Sequence, residues 1–368
     1  RADDRRFAPR KAQRRGGAPA VASRWVWRLE TLARGAGLSL PDRPEVIDWA
    51  RRIDAPLDLA KLDPAKLDLA NIGVTVPAGL KPAARPAPCP PVEVRPTAMA
   101  VTGIETWIRD PYAIYARHIL RLRPLDPPDA PFAAAQRGSA LHKALEDFAA
   151  VPGLGDGAEA VFCDLLTRTL TEAGLSVTQM ARESVLAVPL ARAVIDFERR
   201  HRPDSRLLVE QRGEITVTLG DDSAFTLSAR ADRLELCRDQ VAVLDFKTGR
   251  VPSSKEVGAH LSPQLTLTGE IVRQGGFADL GPRPVDRLLY VKLSHKGLEE
   301  TSAAKDPAAA IDAAASGLVR HLNRYRRATT PFLSWAIPRF IGSRGDYDHL
   351  ARLYEWHVSG ADAEGGDQ

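Results

Sequence analysis

The sequence predicts an α/β protein, and three observations carry that prediction. Between 137 and 148, Leu141, Ala144, Leu145 and Phe148 recur at i, i+3, i+4, i+7, the spacing of one buried helix face. From 207 to 247 the pattern switches to period two, in runs at 207–210, 214–219, 224–236 and 241–247. Beyond 262 the two periods alternate: a helix over 262–271 with Pro263 at its first position, a strand over 285–293, and an alanine-rich helix over 304–327.

The N-terminal third reads differently. Residues 21–53 carry apolar faces among arginines (Trp25, Trp27, Leu29, Leu32, then Val46, Ile47, Trp49) and predict helix. Leu-Asp-Leu-Ala occurs at 57–60 and again at 67–70, two copies being too few for a solenoid. Seven prolines between Pro77 and Pro96 exclude a regular helix and mark a linker, or a chain draped over another surface. A domain boundary belongs there. After it, Thr102 is a candidate cap for a helix through Trp107, and Pro111 restarts a second apolar segment. Residues 157–201 predict helix, 345–356 lead into a last one, and 361–368 have the composition of a disordered tail.

Composition excludes some classes. At 368 residues there is room for two or more domains, and 44% hydrophobic with 27% charged residues describes a globular chain. No apolar run approaches a membrane span and no signal segment opens the chain, so no membrane partner is expected. The chain begins at Arg1 and holds two methionines, which leads us to expect a fragment cut from its N-terminal side. Net charge is +4, with Arg1, Arg5, Arg6, Arg10, Lys11, Arg14 and Arg15 concentrated at the start, either a phosphate contact or a solvated linker. Cys89, Cys163 and Cys237 lie far apart without CxxC spacing, which fits a reducing cytoplasm and argues against structural zinc.

The chemistry gathers around 230–249. On a strand over 241–247, Val241, Val243, Asp245 and Lys247 share one face, and Ala242, Leu244 and Phe246 the other. Asp232 ends the preceding run, and the Asp239-Gln240 turn lets the two runs pair as a hairpin. Two carboxylates and an ammonium would then converge, an arrangement suited to Mg²⁺, which takes oxygen ligands and keeps several waters. The alternative is a surface hairpin with a solvated Asp245–Lys247 ion pair. Gly138, His142 and Glu146 form a row four apart on the predicted helix, either structural or pointed together into a cleft.

Gly138-x3-His142-x3-Glu146, then Asp232, then Asp245-Phe-Lys247-Thr-Gly249, then Gln264 resembles the RecB-like branch of the PD-(D/E)XK nuclease superfamily. The flanks 101–112 and 345–352 resemble the C-terminal region of the AddB family, a subunit of AddAB helicase–nucleases of double-strand break repair. The resemblance implies a central mixed sheet flanked by helices over 97–360, preceded by the mainly helical end of a helicase-like region (1–76) and the Pro-rich linker (77–96). It implies His142, Asp232 and Asp245 as metal ligands with the backbone carbonyl of Phe246, and Lys247 as catalytic lysine. Gln264 would position DNA or the lysine. Arg137 and Glu146 would make phosphate contacts or support the ligands.

The implied cofactor is Mg²⁺, with Mn²⁺ as substitute. The implied partners are DNA and an AddA-type helicase–nuclease subunit, in the cytoplasm. No GxxxxGK[ST] loop occurs in the chain, so an ATP-driven motor would lie elsewhere. Two departures stand out. Thr268 occupies the place where the family often has tyrosine, which predicts altered DNA contact. Asp110 stands where many AddB proteins have the first of four cluster-binding cysteines, and no cysteine follows Cys237, so no iron–sulfur cluster is expected within this chain. Competing readings are a DNA-binding scaffold with a vestigial site and a free-standing RecB-like exonuclease.

Overall fold

The computed structural model describes residues 24–38, 84–124, 134–294, 297–340 and 345–356. The chain divides into two compact units, one of 84–354 and one of 1–83 with 355–368. In the second, the predicted N-terminal helix takes form as α1 (Arg24–Gly35). The basic start, the Leu-Asp-Leu-Ala copies and the 361–368 tail lie outside the described residues.

The 84–354 unit has three layers, with a six-stranded mixed sheet between two sets of helices. Strand β2 (Ser205–Thr218) and β3 (Ala224–Cys237) pair antiparallel about the 219–223 turn, from Thr218 opposite Ala224 to Ser205 opposite Cys237. Strand β4 (Gln240–Lys247) returns along the other edge of β3, but pairs only from Gln240 opposite Cys237 to Leu244 opposite Arg233. Farther along, that same edge of β3 is taken by the short parallel strand β1 (Ala98–Ala100), opposite 226–228. Between them, 229–232 have no ladder partner on that edge. The sheet forks there. Strand β5 (Val285–Ser294) runs parallel beside β4, and β6 (Gly297–Ser302) closes the far edge antiparallel.

One face of the sheet is covered by α2 (Val101–Arg109), α8 (Gln264–Arg273) and α9 (Pro307–Tyr325), packed on Val241, Val243, Leu288 and Tyr290. Between α2 and β2 the chain forms α3 (Pro111–Ile114), which passes into one wider turn at Tyr115–Ile119. The other face carries α4 (Ala134–Ala149), α5 (Ala158–Glu172) and α6 (Val177–His201), packed on Ala242, Leu244, Phe246 and Val291. The predicted faces of β4 are those observed, and Leu141, Ala144, Leu145 and Phe148 are all buried. A short α7 (Ser254–Gly258), opened by a Ser253–Glu256 capping box, leads into α8.

Some elements differ from expectation for identifiable reasons. Runs 207–210 and 214–219 form one strand, because Gly213 leaves room for the Phe277 ring, which a Cβ would meet at 2.7 Å. The stretch 157–201 is two helices, turned at Gly174 with φ +91°. Thr102 is not a cap: α2 starts at Val101 after an extended Ala100. Pro263 precedes the first residue of α8 instead of occupying it. Strand β6 was not expected, its Gly-Leu-Glu-Glu-Thr-Ser sequence being that of a polar edge.

The end of the Pro-rich stretch, from 84 to 96, lies against 325–335. Phe332 N–H donates to the Pro88 carbonyl (2.8 Å). Buried Arg95 donates to the carbonyls of Tyr325 (2.7 Å), Arg327 (2.9 Å) and Ala328 (2.9 Å), satisfying acceptors at and just past the end of α9. Nearby, Asp110 accepts the Trp335 N–H (2.8 Å), and the Trp335 indole donates to Asp348 (2.7 Å). Burial pushes the Asp110 carboxyl up to about 6, against the pull of the Trp335 N–H.

Two predictions follow from this packing. Trp107 is fully buried among Phe225, Tyr325 and Phe332, so Trp107→Ala should cost roughly 3–5 kcal/mol in urea unfolding. Asp110 titrates near 6 when folded and near 3.8 when unfolded, so the folded state holds the extra proton between those values. Stability should therefore fall as pH rises from about 4 to 6 and then level off. Asp110→Asn, which keeps an acceptor for Trp335, should remove Asp110's share of that fall and unfold up to about 2–3 kcal/mol later at pH 8. Parallel stability–pH curves for the two proteins would contradict it.

Candidate active site

Where β3 leaves β4, the Phe246 N–H has no strand to donate to, and the Asp232 carboxylate accepts it at 2.8 Å. In a strand the N–H and C=O of one residue point the same way, so the Phe246 carbonyl also faces the fork. Opposite Asp232 across the β2–β3 pair stands Glu210, between Val209 opposite Arg233 and Gln211 opposite Ala231. Glu210 has φ +51°, a left-handed conformation that costs a β-strand residue about 1–2 kcal/mol. Both strands slip their alternation here: Ala231 and Leu234, three apart, enter the same core, as do Leu208 and Ile215.

The third group comes from α4. His142 Nδ1 lies 3.5 Å from Asp232 Oδ2. One ligand atom each from His142, Glu210 and Asp232 lie within 4.8 Å of one another, and all three residues are half-buried. Like charges directly opposite on paired strands repel. Burial and the facing Asp232 raise the Glu210 carboxyl above its usual range, with Arg230, at 2.5 Å, pulling it back. For His142, burial lowers the pKa, but the Asp232 contact and the nearby carboxylates outweigh it and the net shift is upward. Two carboxylates and an imidazole in this arrangement fit a divalent cation of the Mg²⁺ or Mn²⁺ kind.

Beside this cluster lies a closed triangle. Lys247 Nζ sits 2.7 Å from Asp245 Oδ2 and donates to Gln264 Oε1 at 3.2 Å, while Gln264 Nε2 donates to Asp245 Oδ1 at 2.7 Å. Gln264, first residue of α8, thus ties the two strand residues together. Burial lifts Asp245 to about 6 despite Lys247, and Asp232 adds to the rise. A cleft of about 490 Å³ opens on the cluster, lined by Gly138, His142, Glu146, Glu210, Arg230 and Asp232 among others.

Most residues singled out in the sequence meet here. Gly138 performs a close approach: a Cβ would come within 3.1 Å of Thr248 Oγ1, in the loop after β4. Glu146 lines the cleft, ion-paired with Lys143 at 3.0 Å. Arg137 does not join them. It points to α6, where Glu183 takes it in three contacts of 2.9–3.0 Å. Thr268 is buried and donates to the Gln264 carbonyl (2.8 Å), bracing the helix that carries Gln264. Glu210 was missed: reflecting the two alternating runs about 220–223 places it opposite Arg233, and only the observed 219–223 turn, with Thr218 opposite Ala224, brings it opposite Asp232.

Comparison with known proteins agrees with this geometry. The family model described as the PD-(D/E)XK nuclease superfamily matches residues 98–334. An uncharacterized protein of Rickettsia conorii is 27% identical over 299 residues, covering 70% of this chain and 34% of its own length. Another, from Rickettsia bellii, is 29% identical over 189 residues, 50% of this chain and 22% of its own. The chain therefore spans between a fifth and a third of the length of these relatives. A solved structure, of SSO0001, covers 61% of this chain and 76% of its own at 13% identity and a TM-score of 0.25, too slight a likeness to bear on the fold. With the family match covering well over half of its length and a forked mixed sheet holding acid, acid and lysine at the fork, the chain belongs to the PD-(D/E)XK nuclease superfamily.

Proposed function

We propose that this chain is a metal-dependent deoxyribonuclease domain that hydrolyses DNA phosphodiesters, as the nuclease portion of an AddB-type subunit acting with an AddA-type partner on double-strand ends. The observation that carries the nuclease reading is the meeting of His142, Glu210 and Asp232 beside the Asp245–Lys247–Gln264 triangle. The AddB-type assignment rests on the flanking motifs around 101–112 and 345–352, and the partner, the repair role and the cytoplasmic setting rest on it in turn. Among the described residues no helix is long and apolar enough to cross a membrane.

His142, Glu210 and Asp232 would hold the cation, with Asp245 and the Phe246 carbonyl at its margin. When bound, the cation supplies polarisation of the scissile phosphate and a water of lowered pKa. The protein's own groups do the rest. Lys247 presents an ammonium fixed by two partners, able to hold an attacking hydroxide or the charge that builds on a phosphate oxygen. Gln264 and Asp245 together keep that ammonium from swinging out. The Asp232–Phe246 bond holds one carboxylate in place without help from solvent.

Asp245→Ala or Lys247→Ala should lower Mg²⁺-dependent digestion of DNA by roughly 10²–10³-fold or more while the protein still melts cooperatively. Undiminished cutting by the purified double variant would remove the assignment. Glu210→Ala should weaken Mn²⁺ binding at least about tenfold in a calorimetric titration, since it deletes one of three converging donors. An unchanged titration would place the cation elsewhere.

A further inference from the structure

One step along the sheet from the facing acids, a pair of arginines faces instead. Arg212 of β2 lies directly opposite Arg230 of β3, and both are exposed. Like charges at such a position destabilise a sheet unless an anion sits between them. Arg230 is shared with Glu210. Arg212 has no ion pair among the described residues. By period two, Arg230 lies on the same face as Asp232, about 6.6 Å along the strand. The two also line the same cleft.

The cleft does not end at Arg230. A second groove of about 610 Å³ continues from it over the open face of β1, β3 and β2, with Arg212, Glu214, Ser228 and Ala100 in its lining and Gly276 and Ala278 at its far side. Most of these residues are small, so a chain could lie close against the sheet. Apart from His142, which is engaged with Asp232, neither lining holds an aromatic side chain on which a base could stack. The one acid in this second groove, Glu214, follows Arg212 by two residues and makes no ion pair with it within 4 Å.

Resting on the nuclease reading, we propose that Arg212 and Arg230 form the phosphate subsite that seats a single nucleic-acid strand next to the metal cluster. The spacing lets one extended strand place neighbouring phosphates on the acid pair and on the arginine pair. A cleft of about 490 Å³ has the capacity of a small-molecule site, room for a nucleotide or two of one strand. With no stacking platform, the strand is gripped by its phosphates and its base sequence is not read. Arg212 is a positioning residue here: it touches the strand away from the bond that is cut.

The test is equilibrium binding of a fluorescent single-stranded oligonucleotide to the 368-residue chain in EDTA, where no cleavage occurs, over a series of salt concentrations. Arg212→Gln should weaken binding about 3- to 10-fold at low salt and lower the slope of log K against log[salt] by about 0.7, one phosphate contact's worth for a single strand. Arg212→Lys should restore most of both. Oligo-dT, oligo-dA and an abasic deoxyribose-phosphate chain should bind alike, and duplex should compete poorly. Absence of binding by the native chain, an unchanged slope in Arg212→Gln, or a marked base preference would overturn the proposal. Because cutting is not read, a chain that binds through Arg212 but never cleaves would refute the nuclease reading alone. One that cleaves with an unaltered slope would refute this subsite alone.

Discussion

The structure depends on the parting of β3 from β4 after the Arg233–Leu244 pair. A strand that leaves its neighbour strands backbone groups, and a buried N–H without a partner costs about as much as a lost hydrogen bond. Asp232 resolves this by accepting the Phe246 N–H, which at once seals the fork and fixes a carboxylate at its mouth. The fork is held from behind as well. Arg233, almost wholly buried, donates to Glu198 of α6 (2.6 Å) and to Glu235 (2.7 Å), with its guanidinium 5.2 Å from the centre of the Phe197 ring. His201 meets Glu235 from the other side (2.9 Å). A buried ionic network of this kind is a weak source of stability but a strict one of geometry, since each group must find its partner. It ties α6 to the strand residue next to Asp232.

The same fork concentrates negative charge. Glu210, Asp232 and Asp245 stand close together in half-buried or buried positions, and burial raises both Glu210 and Asp245. Lys247 and Arg230 answer one carboxylate each, and His142 leans on the third. The balance leaves room for a dication, which would turn the facing carboxylates of Glu210 and Asp232, with His142, into a ligand set. Strain points to the same spot: Glu210 holds a left-handed backbone in mid-strand, and conformations of that kind persist where the surroundings over-determine them.

Much of this was legible in the sequence. The two faces of β4, the buried face of α4 and the β3–β4 hairpin follow from periodicity, because each element buries one side only. His142, Asp232, Asp245, Lys247 and Gln264 were singled out by spacing and resemblance, and the fold gathers them at one fork. What escaped depends on tertiary contact. Arg137 neighbours Gly138 in sequence, but a helix turns by about 100° per residue, which aims Arg137 at Glu183 on a neighbouring helix. The Arg233 network needs α6 docked on the sheet before its partners exist. The continuity of β2 through Gly213 needs Phe277, sixty-four residues on, to fill the space a side chain would take. Glu210 escaped too, since its register against Asp232 depends on a five-residue turn at 219–223, one residue longer than the polar 220–223 stretch suggests.

The most direct test of the account is anomalous scattering from crystals of the chain grown with Mn²⁺. The account predicts a peak within coordination distance of His142, Glu210 and Asp232, on the side of the fork that the Phe246 carbonyl faces. A peak elsewhere on the molecule, with these three side chains still turned toward one another and no metal between them, would contradict it.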